Sequence, residues 1–361
     1  MANAAPISMP TRSVRERQVS DFTELARRVQ DAGLLRRRTS YYIAKMTLLA
    51  ALHVAGAWLF VAIGTSWWQL LLAVGLGILF TQTAFLGHDA AHRQIFTSGR
   101  ANEWTALVIA DLFVGLSNGW WVRKHTRHHA NPNKIDKDPD IASGALVFIA
   151  EEATPRRGFA RWFVRRQGWL FFPLITLEGL ALHITAFTTV FGREPVKYRA
   201  VEIVFLLVRV GGYLTAVFWL LPFGMAMAFV GIQMAVFGFY MGACFAPNHK
   251  GMPIVPPDVK IDFLRRQTLM SRNIRGGVFT DVAMGGLNYQ IEHHLFPNMP
   301  RPHLRKVQPM VREYCAERGV AYTETSLLES YRIVVRFLNR VGLGQSDPFQ
   351  CPVTAQYRSA R

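Results

Sequence analysis

Polar residues are spaced unevenly along this chain, and the gaps between them predict its elements. Residues 46–92 contain no Lys or Arg and a single acid, Asp89, and residues 210–249 contain no Asp, Glu, Lys or Arg. About 20 apolar residues in a helix cross the ~30 Å hydrocarbon core of a bilayer. Four membrane spans are predicted on that basis, at 46–64, 67–87, 201–221 and 223–246. They pair as two hairpins. Thr65 and Ser66 turn the first beside Trp67 and Trp68, which suit the membrane interface, and Leu221-Pro222-Phe223-Gly224 turns the second.

Two further stretches, 103–121 and 169–192, are long enough to cross but carry Asp111 and Asn118 in the one and Glu178 and His183 in the other. Both have cations at each end, Arg100 and Arg123 for the first, and Arg166 and Arg193 for the second. Cytoplasmic flanks collect Lys and Arg, so both segments are expected to enter or lie along the membrane without crossing it. Residues 21–35, DFTELARRVQDAGLL, alternate apolar and charged positions at helical spacing and predict an amphipathic helix on the membrane or on the protein itself. Residues 1–20 and 346–361 read as loose tails. The expected fold is an all-α integral membrane protein with four transmembrane helices in two hairpins, two re-entrant or interfacial segments, and a cytoplasmic helical cap. Its expected divisions are an N-terminal tail and amphipathic helix (1–45), a membrane domain (46–330) and a C-terminal helix and tail (331–361).

Charge sharpens this picture. The formal net charge of +17 would suit nucleic acid, but the cations stand beside the apolar runs, as in Arg36-Arg37-Arg38 and in Arg161, Arg165 and Arg166. That placement fits the anionic inner leaflet and acidic partners, and nucleic-acid binding is not expected. Both termini are expected in the cytoplasm, with the protein in the cell's inner membrane. Cys244, Cys315 and Cys351 are widely separated and show no CxxC spacing, which argues against a disulfide framework or an iron–sulfur cluster. The first residues contain no apolar stretch of signal-peptide type.

Histidines supply the candidate chemistry. Eight of the 11 occur in groups: HDAAH (His88, His92), HTRHH (His125, His128, His129), His249 in PNHKG, and QIEHH (His293, His294). Residues at i, i+3 and i+4 share a helix face, so each group is expected to present its nitrogens in one direction. Under the predicted topology all four groups fall on the cytoplasmic side. Neutral imidazole binds zinc, iron, copper and nickel, and eight imidazoles exceed the needs of one ion, so two metals are expected. A zinc-protease HExxH motif requires Glu beside the first histidine, where Asp89 stands. A redox pair fits better.

HDAAH, HTRHH and QIEHH, in this order across four spans, resemble the three histidine boxes of the membrane fatty acid desaturases, a likeness that covers residues 40–330. The wording GWWVRKHTRHHANPNKIDKDPDI and NYQIEHHLFPNMPRPHL is similar to the front-end and acyl-lipid type, with Gln290 opening the third box. The resemblance implies that His88, His92, His125, His128, His129, His293 and His294 ligate two non-haem irons, that His249 is a further ligand outside the boxes, and that O2 is co-substrate. Gln290 is a possible weak ligand or support. Asn248, Asp89 and Glu292, with Asn288, Asp136, Asp138 and Asp140, are candidates for hydrogen bonds behind the ligands. The implied substrate is a membrane lipid or acyl thioester, and the implied product carries a new cis double bond. Neither an HPGG haem segment nor a cysteine quartet is present in the sequence, so electrons are expected from an external ferredoxin or small haem protein with its reductase.

Other residues have plainer readings. His53 within the first span and His303 in PRPHL are expected to serve structure. Glu178 and His183 are expected to pair with Arg209, with an acyl-channel role as the alternative. Trp120, Trp121, Tyr289 and Phe296 fit packing or interface anchoring as well as they fit a substrate tunnel. A lipid hydroxylase on the same scaffold is the competing enzyme reading. A metal transporter is disfavoured, because its ligands would be strung along a path at bilayer depth.

Overall fold

The computed structural model of this chain describes residues 20–345. The expected tails lie outside them, apart from Ser20, and Cys351 lies outside as well. Four helices have the length and hydropathy to cross a membrane: Thr39–Ile63, Gln69–Ala91, Arg199–Leu220 and Phe223–His249. They are apolar on every side because lipid, not water, covers their outer faces. Val54, Trp58, Val61, Trp219 and Phe223 all stand exposed on them. The second and fourth spans approach closely through Gly77, where a Cβ would lie 2.8 Å from Val236 and 2.9 Å from the Gln233 carbonyl.

Two bounds differ from expectation for identifiable reasons. The first span begins at Thr39, because Tyr42 is fully buried and its hydroxyl donates to Gln94 Oε1 at 2.8 Å. The second runs on to Ala91, so HDAAH lies in its last turn and does not follow the span. Its end is closed by backbone bonds from His92 to His88 and from Gln94 to Asp89, both 3.0 Å.

Both intermediate segments are broken. Gly99–Val114 and Asn118–Ala130 meet at 117°, and Gln167–Ile175 and Glu178–Phe191 meet at 70°. Gly115, with a left-handed φ of 94°, ends the first arm. Ser117 Oγ then starts the second arm by accepting from Trp120 N at 3.2 Å. The stretch expected as one segment at 103–121 is therefore two helices, and the second carries HTRHH.

Beside the spans, helices Asp21–Asp31, Phe263–Leu269, Gln290–Leu295 and Arg301–Glu317 share one apolar core that includes Leu25, Val29, Leu264, Ile291 and Val307. Of the two placements open for the amphipathic helix, the structure shows the one on the protein. Leu25 and Val29 are fully buried, each stabilising the contact by ~1.5–3 kcal/mol, and Arg28 lies 3.0 Å from Glu317. Helix Leu327–Gly342 buries Val334 and Leu338 against Phe171, Ile175 and Ala246. One element departs from the all-α expectation, a short parallel pairing of Asn273–Arg275 with Glu324–Ser326.

Candidate metal centre

Four chain segments deliver the histidine groups to one place. HDAAH comes from the end of the second span, HTRHH from the arm after the 117° bend, and His249 from the end of the fourth span. That last helix end is held by the buried guanidinium of Arg272, which donates through Nε to the Pro247 carbonyl at 2.9 Å and through Nη2 to the Lys250 carbonyl at 3.0 Å. QIEHH follows a sharp turn at Gly285 and Gly286, with φ of 59° and 81°. A Cβ on Gly285 would lie 2.4 Å from the Phe85 ring, so backbone and ring meet only because glycine is there.

The ligand atoms form two groups, each within 4.8 Å: His88, His92, His125 and His293 in one, and His128, His249 and His294 in the other. His129 lies between them, with Nε2 3.0 Å from His125 Nε2 and its ring stacked on His294 at 4.2 Å. This corrects the expectation that each box faces one way. The second and third boxes both divide between the groups: His293 and His294 are consecutive and point about 100° apart, while His125 and His128 stand nearly one turn apart along the helix axis.

Three of the far ring nitrogens, those of His128, His249 and His294, are tied closely to protein groups, which aims the near ones inward. Nδ1 of His128 lies 3.0 Å from each Asp138 oxygen and 3.4 Å from Asp140. Nδ1 of His249 lies 3.0 Å from the Met270 carbonyl, and Nδ1 of His294 lies 3.0 Å from Gln267 Oε1. Asp89 is 3.7 Å from His88 Nδ1, but its closer partner is Arg301, at 2.6 Å. Gln290 Nε2 sits 2.9 Å from His249 Nε2, while its Oε1 accepts from Asn248 Nδ2 at 3.3 Å.

Three candidates behind the ligands do not take that place. Glu292 accepts from Tyr322 Oη at 2.6 Å and from Asn273 Nδ2 at 2.7 Å, and so anchors the third box to its neighbours without touching an imidazole. Asn288 donates to Asp281 at 2.8 Å. Asp136 occupies a left-handed turn, φ 61°, two residues before Asp138.

Nε2 of His88, His92, His293 and His294 is buried without a hydrogen-bond partner among the described residues. Each such orphan costs ~1–3 kcal/mol, and several converging on one point fit a bound cation. Burial pushes the imidazoles of His125, His129, His293 and His294 well below the usual histidine range, and neighbouring imidazoles push them further. They are thereby kept neutral, the form that ligates metal. His128 moves the other way: burial opposes its charge, but Asp140 and Asp138 outweigh it and raise the imidazole.

A cavity of about 350 Å³ opens along the histidines. His88, His125, His128, His249 and Gln290 form part of its wall, Val114, Leu116, Leu182, Met241 and Phe245 supply apolar surface, and Lys124, Asp140, Glu178 and Lys250 supply charge. Trp120 and Trp121 line it too, and Trp121 stacks on His125 at 4.3 Å. Tyr289 and Phe296 instead pack in the core beside the spans. The expected pairing of Glu178 and His183 with Arg209 is not formed. Arg209 Nε donates to the Phe113 carbonyl at 2.8 Å and its guanidinium lies over Phe80 and Tyr213, while His183 Nδ1 is 2.7 Å from the Gly179 carbonyl. His53 and His303 bond backbone carbonyls, as expected of structural residues. Gln267, Arg272 and Arg301 carry no spacing signal in the sequence and emerge only from the fold.

Residues 65–326 match the family model described as fatty acid desaturase. Similar proteins include the Delta(8)-fatty-acid desaturase 2 of Arabidopsis thaliana, 28% identical over 92% of this chain and 78% of that one. The acyl-lipid (9-3)-desaturase of Physcomitrium patens is 28% identical over 90% of this chain and 63% of its own length. Fatty acid desaturase 3 of Bos taurus is 27% identical over 90% of this chain and 73% of its own. With the family model spanning most of the residues that build the spans and the histidine centre, this chain belongs to the fatty acid desaturase family and is an enzyme that desaturates fatty acids.

Proposed function

We propose that the protein is an O2-dependent acyl desaturase that holds two non-haem irons with His88, His92, His125, His128, His129, His249, His293 and His294. It acts on a long acyl chain carried by a membrane lipid or thioester and takes electrons from an external donor. The observation that carries this reading is the set of inward-facing, unpartnered imidazole nitrogens beside a largely apolar cavity. An unactivated methylene has no acidic proton for a side chain to remove, so a bound iron pair would supply the oxidising power that this C–H bond requires.

The chain's own residues have three tasks. Val114, Leu116, Leu182, Met241 and Phe245 hold a hydrocarbon chain and keep water away from the histidines. Asp138, Gln267 and the Met270 carbonyl fix ring orientation, and the Gln290 amide stands beside His249 Nε2 on the cavity side. Lys124, Asp140 and Lys250 give the cavity a charged patch suited to the polar end of a substrate, with Lys124 Nζ 2.7 Å from Asp140. Relatives named as Delta(8) and acyl-lipid desaturases support a substrate of this class and do not favour the hydroxylase alternative. Gathering of the ligands into one place leaves the transporter reading without a path. The proposed setting is the inner membrane, with four crossings, two re-entrant segments, and both termini and the histidine centre on the cytoplasmic side.

Expression in a host of known lipid composition tests the activity. New cis double bonds located by mass spectrometry, together with about two irons per purified chain, are the expected result. Hydroxy acids in their place, or zinc without iron, would overturn it.

A further inference from the structure

Independently of the metal reading, we propose that residues 156–169 form a docking surface for anionic membrane lipid, and that a lipid held there steadies the cavity wall at Leu146 and Phe148. Residues 154–169 contain Arg156, Arg157, Arg161, Arg165 and Arg166 and no acid. Arg157, Arg161, Arg165 and Arg166 are exposed, and none of these arginines forms an ion pair among the described residues. Glu151 and Glu152, the acids that precede the run, form none either. Aromatic rings are interleaved with this charge. Phe159 and Trp162 stand exposed one turn apart on helix Gly158–Val164, with ring centroids 5.4 Å apart. The Arg166 guanidinium lies over the Trp162 ring at 5.1 Å, and Trp169 is exposed beyond it.

Arginine interleaved with exposed Phe and Trp suits the headgroup region of a bilayer, where the rings enter the acyl boundary and the guanidinium groups meet phosphate. This surface continues into the bent pair Gln167–Ile175 and Glu178–Phe191, which together have the length and hydropathy of a span. Trp169, Leu177, Leu180, Ile184 and Phe191 are exposed along that pair, so the arginines border a face made for lipid. A purely acidic partner would answer the charge and leave the rings uncovered. Each cation near an anionic lipid surface tightens the association roughly fivefold.

The inner side of the same segment grips the cavity wall. Val164 packs in one buried cluster with Val147, Ala153 and Val341. Gln167, directly after Arg166, accepts from Val147 N at 2.9 Å through Oε1, and its Nε2 donates to the Val147 and Leu338 carbonyls, both at 2.8 Å. Leu146 and Phe148, on either side of Val147, line the cavity, whereas none of the arginines does. A lipid that fixes the outer face of the segment therefore limits the motion of the wall its inner face holds.

The test titrates the full chain in neutral detergent with phosphatidylglycerol or phosphatidylcholine, each carrying a dansyl group on an acyl chain, and reads energy transfer from tryptophan. The unaltered protein is expected to bind the anionic lipid at least ~10-fold more tightly than the neutral one. Arg161→Glu with Arg165→Glu is expected to bring the two affinities within about twofold, and Arg161→Lys with Arg165→Lys to keep the preference. Because these arginines lie outside the cavity, the change reports the surface and not lipid bound as substrate. In nanodiscs, amide exchange over residues 144–149 is expected to slow when phosphatidylglycerol replaces part of the phosphatidylcholine, and to stop responding in the charge-reversed variant. Equal affinities in the unaltered protein, or a preference untouched by charge reversal, overturn the lipid surface. Exchange at 144–149 that ignores lipid charge overturns its link to the cavity. A reversal that weakens binding of an acidic protein and leaves the lipid preference intact would assign the face to a protein partner instead.

Discussion

Asp138 stands ten residues beyond His128, in a polar loop, yet both its oxygens lie 3.0 Å from that imidazole's Nδ1. A carboxylate behind a ligating histidine fixes the tautomer and sharpens the aim of the opposite nitrogen. Asp138→Asn is therefore expected to weaken iron retention against a competing chelator by ~10–100-fold while the chain remains folded; retention equal to that of the parent would remove Asp138 from this role. His249 tests the proposed ligand set from outside the boxes. His249→Ala is expected to lower iron per chain as far as His294→Ala does, because both side chains belong to the same group. The histidine groups themselves were legible in sequence, since histidine in tight clusters has few other uses in an apolar chain. Their supports were not. Gln267, Arg272 and Arg301 are ordinary polar residues until the fold closes around them, and Glu292, beside two histidines in sequence, points instead to Tyr322 and Asn273.

Among elements, the bent pair that carries HTRHH shows how a span shapes the centre. Glu202, at the start of the third span, accepts from Ser117 Oγ at 2.6 Å and from Gly119 N at 3.0 Å, and so grips the first turn of the arm that carries His125 and His128. A Cβ on Gly119 would lie 2.8 Å from Glu202 Oε1, so a larger residue there would push that carboxylate aside. Glu202→Ala is expected to reduce both iron content and activity, with Glu202→Gln recovering much of each because an amide oxygen still accepts; equal loss in the two variants would show that charge, not grip, is what matters. The second bent pair packs on the fourth span through Gly179 and Gly238, where a Cβ on either would lie 2.4 Å from the facing backbone. Gly179→Val is expected to destabilise the fold by ~1–3 kcal/mol through overpacking, read as a lower Tm in detergent. Uniform hydrophobicity made the spans visible in sequence. Their ends were less visible, because Tyr42 at one and His88 at another are held by partners distant in the chain. The 117° break was missed for a related reason: Gly, Ser and Asn occur throughout such helices, and only the capping geometry at Ser117 marks a start.

For the molecule as a whole, the proposed topology places the turns at 64–68 and 221–223 on one side of the membrane and every histidine group on the other. Single-cysteine variants Ser66→Cys and Gly224→Cys are expected to react with an impermeant thiol reagent only from outside the cell, and Lys137→Cys only after the membrane is opened. Labelling of Lys137→Cys in intact cells would reverse the orientation. Charge asymmetry made this reading available from sequence, whereas the cavity was not, because its wall draws on segments as distant as Ala84 and Gln290.

One feature of the third box reaches further than its size. His293 and His294 are consecutive, yet each belongs to a different histidine group. A single peptide link therefore acts as a ruler between the two halves of the centre, and its length is covalent. Packing changes elsewhere can tilt or shift that ruler but cannot stretch it, so the spacing of the two groups is the property of this enzyme least open to drift. An inserted residue between His293 and His294 would break that spacing although the chain would still carry all eight histidines.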